Sequence, residues 1–60
     1  MKYEQYAIKN TNDQYIKYGT AYSYNVQWTK SLYDVALWPF KEDAVKLAAF
    51  MGQGLTVVLV

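Results

Sequence analysis

Few groups in this chain could do chemistry. It carries five carboxylates (Glu4, Asp13, Asp34, Glu42 and Asp43) and six lysines, with no Cys, His or Arg. Without Cys or His there is no thiolate nucleophile, no Ser–His pair and no imidazole general base. The usual zinc ligand sets are missing for the same reason. Paired-carboxylate hydrolysis needs two groups facing one cleft, roughly 5–9 Å apart. Only Glu42 and Asp43 are adjacent in the chain, and neighbours on a helix project about 100° apart. They open an apolar helical run, where negative charge suits the positive end of the helix dipole. Gly52-Gln53-Gly54 is the nearest approach to a phosphate-binding loop. It follows a helix instead of opening one, so it reads as a helix stop and a turn. No Walker or Rossmann glycine pattern is present. The chemistry points away from catalysis: no catalytic residue, no metal site and no cofactor are expected.

The elements that must position any other site follow from periodicity. Tyr3 to Lys9 reads as a strand with Tyr6 and Ile8 on one face and Gln5, Ala7 and Lys9 on the other. Asn10-Thr11-Asn12-Asp13-Gln14 is a run of residues that build turns from side-chain to backbone hydrogen bonds. Tyr15 to Thr20 resumes a β pattern, which makes the two segments a hairpin. Tyr22, Tyr24, Val26 and Trp28 alternate with Ser23, Asn25, Gln27 and Thr29, and this alternation predicts a third strand over 22–29. Lys30 to Asp34 is a connection, and Val35 to Trp38 is a short extended run into Pro39, which bars Trp38 from the α region. Lys41 to Met51 is the one helix. Its stripe is Ala44, Leu47, Ala48 and Met51, widened by Val45 and Phe50. No Ser, Thr, Asp or Asn stands at its N-cap, so a frayed or 3₁₀ start is expected. Leu55 to Val60 closes the chain as a strand that is apolar on both sides, a pattern that predicts burial on both sides. The resulting expectation is a single domain over 1–60 of the α+β class, a small, mainly antiparallel sheet in the order β-β-β-α-β with one helix on one face.

Size makes that sheet a problem. Sixty residues, 53% of them hydrophobic, bury only roughly 60% of the surface the unfolded chain exposes. Disulfides and zinc are excluded as staples, which leaves a tight core or a partner. One short helix covers one sheet face, yet nine of the aromatics (Tyr3, Tyr6, Tyr15, Tyr18, Tyr22, Tyr24, Trp28, Tyr33 and Trp38) fall on or beside predicted strands. Val58 and Val60 also need a cover. Such surplus apolar surface marks an interaction site, and Tyr and Trp are enriched in binding hot spots. The candidate surface is Tyr22, Tyr24, Trp28, Tyr33, Trp38, Val58 and Val60. Its cover could be a second copy in a homodimer, a different protein, or single-stranded nucleic acid stacked on the aromatics. A net charge of +1 without Arg disfavours nucleic acid, because phosphate contacts draw on a basic excess. No apolar run approaches the ~20 residues of a membrane-spanning helix. Met1-Lys2-Tyr3-Glu4-Gln5 does not open a signal peptide, so a cytoplasmic location is expected.

The order Tyr6-Ala7-Ile8-Lys9-Asn10, Tyr15-Ile16-Lys17-Tyr18, Trp28, Asp34-Val35-Ala36-Leu37-Trp38, Lys41-Glu42-Asp43-Ala44 and a closing valine strand resembles small phage and prophage proteins of Gram-positive bacteria. The likeness runs over nearly the whole chain. It departs at the helix start, where Pro39-Phe40 replaces the usual Ser-type cap. The resemblance carries over no catalytic or ligand residue. It implies a non-enzymatic phage protein that binds and inhibits a host protein, with host-defence systems as a frequent target of such anti-defence inhibitors, acting in the host cytoplasm.

Overall fold

A computed structural model describes residues 4–52 and 54–60. Its elements are β1 (Tyr6–Lys9), β2 (Tyr15–Ile16), β3 (Trp28–Thr29), α1 (Lys41–Met51) and β4 (Thr56–Leu59). The strands form one sheet in the order β3-β2-β1-β4, with every neighbouring pair antiparallel. α1 packs on one face, so the fold is α+β in the order the sequence predicts. Tyr3 and Gln53, which the sequence reading placed in the first strand and the final turn, lie outside the described residues.

The hairpin turn is built as its residue types suggest. Asn10 Oδ1 accepts from the backbone N–H groups of Asn12 and Gln14, both at 2.9 Å. The Asn10 N–H donates to the Gln14 carbonyl at 2.8 Å. Asp13 takes a φ of 59°, a left-handed conformation that Asp tolerates better than most side chains.

β1 and β2 share only the pair Lys9–Tyr15 before they diverge. The segment 34–38 fills the gap. The Ala36 N–H donates to the Ile16 carbonyl at 2.8 Å, the Tyr18 N–H donates to the Asp34 carbonyl, and Trp38 exchanges both backbone bonds with Tyr6 at 2.8 and 2.9 Å. Val35 is thus bridged to Lys17 and Trp38 to Tyr6, each in antiparallel fashion.

The long third strand is not formed. Only Trp28–Thr29 pairs with β2, and the ladder runs one step further, from the Lys17 N–H to the Gln27 carbonyl at 2.8 Å. β2 then turns away at Gly19, where φ is 81°. A strand needs a neighbour, and residues 20–26 have none. Hydroxyls close them into a loop instead. Thr20 Oγ1 donates to the Lys17 carbonyl at 2.8 Å and accepts from the Gln27 N–H at 3.1 Å, while Ser23 Oγ donates to the Thr20 carbonyl at 2.8 Å.

α1 spans the residues its periodicity predicts. Phe40 is an extended N-cap that makes no side-chain cap bond. The Asp43 N–H reaches back three residues to the Phe40 carbonyl at 3.2 Å, a tight first turn of 3₁₀ type. At the other end the Gly52 N–H donates to the Ala48 carbonyl at 3.2 Å. The core lies between helix and sheet: Ile8, Ile16, Ala36, Trp38, Ala44, Leu47 and Ala48, with Tyr6, Val26, Trp28, Met51, Leu55 and Val57 packed against it. Ile8 and Ile16 are fully buried at its centre, each worth roughly 1.5–3 kcal/mol of transfer free energy.

β4 departs from expectation. It pairs with β1 from Tyr6–Leu59 to Lys9–Thr56, which leaves it at the sheet edge instead of buried on both faces. Leu59 and Val60 are 60% and 50% exposed.

Candidate interaction surface

The five carboxylates are scattered and all exposed. Among the described residues, no three His, Cys, Asp or Glu side chains gather where they could hold a metal ion, and no helix is long and apolar enough to cross a membrane. What the fold does build is a groove of about 750 Å³ between the loop 21–26 and α1. The loop supplies Tyr22 and Tyr24 and the helix supplies Phe50, with Val26, Leu47 and Met51 behind them. Asp43 and Lys46 bring opposite charges to the helix side, so the groove is apolar and close to neutral.

The aromatic walls stand open. Tyr22 is 78%, Phe50 87% and Tyr24 wholly exposed. Tyr22 is nevertheless held in place, because its hydroxyl accepts from the Trp38 indole N–H at 3.1 Å. That bond ties an exposed loop residue to a buried core residue sixteen positions away. A second hollow of about 390 Å³, lined in part by Tyr18, Tyr22, Leu37 and Trp38, lies on the other side of the same loop.

The residues singled out from sequence divide accordingly. Tyr22 and Tyr24 come together in the groove. Trp28 is half-buried and packs on the core. Trp38 is only 6% exposed, so it serves the interior and steadies Tyr22 from behind, and it leaves the candidate surface. Tyr33 is fully exposed in the turn 31–34, where its N–H bonds to Ser31 Oγ at 3.2 Å, and it is not among the groove residues. Val58 lies in β4 and Val60 just after it, both on the sheet face away from α1.

Phe50 is a groove residue outside the candidate surface expected from sequence, where it widens the apolar stripe of the helix. The helical wheel carries the missing signal. At 100° per residue, the centre of the stripe formed by Ala44, Leu47, Ala48 and Met51 lies about 110° from both Phe50 and Val45. Both residues therefore flank the core contact, and they are 87% and 46% exposed. Asp43, Lys46 and Leu47 fall on the Phe50 side of the wheel, which is the side that lines the groove.

Comparison with protein-family models, with curated proteins and with solved structures finds no match.

Proposed function

We propose that this chain is a non-enzymatic protein-interaction module that binds a host protein and inhibits it by occupying its surface, acting as a homodimer in the host bacterial cytoplasm. One observation carries the reading: an apolar groove of about 750 Å³ walled by Tyr22, Tyr24 and Phe50, all of them exposed. Leaving three large rings in water is unfavourable, and patches of this kind on small proteins serve recognition. Inhibition by occupation requires surface complementarity and no reacting group. The resemblance to small phage proteins supports a host-defence protein as the target.

The test uses immobilised chain and bacterial host lysate, comparing wild type with Tyr24→Ala and Phe50→Ala. Both side chains are exposed, so both variants fold. A protein retained by wild type and lost from both variants is then purified, mixed with the chain and assayed for a fixed-ratio complex and loss of its own activity. If wild type retains nothing that the variants lose, the groove is not a protein-binding site. Salt-sensitive binding of single-stranded DNA or RNA that both variants lose would replace this reading with nucleic-acid binding.

A further inference from the structure

The outer edge of β4 presents a row of backbone groups whose identity follows from the ladder. The Val60 N–H donates to the Gln5 carbonyl at 2.8 Å. In an antiparallel pair, hydrogen-bonded and non-hydrogen-bonded positions alternate. Thr56, Val58 and Val60 therefore turn their backbone groups toward β1, and Val57 and Leu59 turn theirs away. The far side of β1 agrees with this assignment, since Tyr6, the register partner of Leu59, spends both its backbone groups on Trp38. Among the described residues, no backbone hydrogen bond reaches Val57 or Leu59 from the open side.

Natural sheets guard such edges with charge, proline, bulges or very short strands. β3, at the opposite edge, is two residues long and is followed by the exposed Lys30. β4 has none of these guards. Thr56-Val57-Val58-Leu59 carries no charge and no proline, and it is apolar on both faces. Leu59, on the α1 side, is 60% exposed, and Val60, on the other side, is 50% exposed. On the α1 side the edge also borders an apolar hollow of about 400 Å³ that includes Val45, Ala49 and Leu55.

We propose that β4 is the seam of the homodimer, pairing antiparallel with β4 of a second copy so that Val57 meets the partner's Leu59 and Val58 meets the partner's Val58. The inference rests on the homodimer part of the function proposed above and specifies where the copies join. A second copy fits for three reasons. First, a two-fold axis through Val58 lets Val57 and Leu59 of each strand bond to Leu59 and Val57 of the other, which satisfies every outward N–H and C=O of the strand. Second, an uncharged strand meets no repulsion from its own copy. Third, both faces gain apolar cross-strand pairs, Val58 with Val58 on one side and Val57 with Leu59 on the other. Shifting the register to place Val57 opposite itself would set Leu59 against Leu55, which lies outside the strand, and Val58 against Thr56. The paired sheets become one sheet of eight strands, and the two aromatic grooves remain outside the seam.

The chain contains no Cys, so an introduced thiol reports without background. Light scattering over a dilution series should give about 14 kDa, twice the 7.0 kDa of one chain, falling toward one chain on dilution. In the proposed register residue 58 faces its own copy at a non-hydrogen-bonded position, with Cα atoms about 4.5 Å apart, within disulfide range. Mild oxidation should therefore crosslink Val58→Cys. It should not crosslink Leu59→Cys, whose copies would sit about 8 Å apart. Val58→Lys and Val58→Glu should each weaken the dimer by about tenfold or more, and a mixture of the two should restore it. A dimer whose Val58→Cys form does not crosslink overturns this seam and leaves the homodimer reading standing. A single-chain mass at every concentration overturns both the seam and the homodimer, and leaves the groove to be judged by its own test.

Discussion

The bond between Trp38 and Tyr22 offers a measurement in which one interaction can be isolated. The Trp38 Nε1–H donates to the Tyr22 hydroxyl at 3.1 Å. Tyr22 is 78% exposed and Trp38 is 6% exposed. Because the Tyr22 ring contributes little burial, Tyr22→Phe removes the hydrogen bond and almost nothing else. The net value of such a bond is about 0.5–1.5 kcal/mol, rising to about 1–3 kcal/mol if the indole N–H is left without a partner. A loss near 1 kcal/mol would lower Tm by roughly 4–8 °C in a domain of this size. Tyr22→Ala should destabilise by the same amount within about 0.5 kcal/mol, because the ring it also removes is already in water. Trp38→Phe should destabilise further through lost packing. The double variant should then reveal a coupling of about 1 kcal/mol between the two sites. Urea and thermal unfolding followed by circular dichroism, at one fixed protein concentration so that any dimerisation is held constant, would measure wild type and all four variants. If Tyr22→Phe leaves stability unchanged while Tyr22→Ala lowers it, the ring holds the loop and the reasoning from the hydroxyl is wrong. A coupling of zero would refute it equally.

Other consequences can be checked in the same assays. Ile16 has no exposed surface, so Ile16→Ala should destabilise by about 2–5 kcal/mol. Sixty residues typically hold only about 3–9 kcal/mol, so that variant should lose roughly half of its stability, read as a much lower urea midpoint, whereas Ile16→Val should lose only about 0.5–1.5 kcal/mol. Phe40 has N-cap dihedrals but no capping side chain, so Phe40→Asp should raise stability by about 1 kcal/mol, read as a higher urea midpoint at unchanged slope. Asn10 Oδ1 serves two backbone donors, so Asn10→Ala should lower stability by about 1–2 kcal/mol. Asn10→Asp, which keeps the acceptor, should retain most of it.

How legible this protein was varies with how local each feature is. The 10–14 turn could be read because Asn10 makes its bonds within four residues. The helix could be read because its stripe repeats within one element and a glycine stops it. The first strand disclosed its two faces through simple alternation. The 22–29 alternation was equally clean, yet it formed only a two-residue strand, because β2 turns away at Gly19 and leaves no neighbour to pair with. Trp38 illustrates the same limit for the candidate site: an aromatic beside predicted strands, it went to the core, whereas the exposure of Phe50 was legible from its place on the helical wheel.

The sequence alone determined the class of the fold, the span of the helix, the hairpin turn and the poverty of catalytic groups. These depend on residue types and on interactions a few positions long, which a segment can form whatever the rest of the chain does. The tertiary structure alone decided that residues 21–26 face 43–51 across a groove, that Val35 and Trp38 bridge the gap between β1 and β2, and that β4 pairs beside β1 at an open edge. Those choices are made by contacts between segments far apart in the chain. Their free energy exists only once both segments are in place, so no local pattern records them.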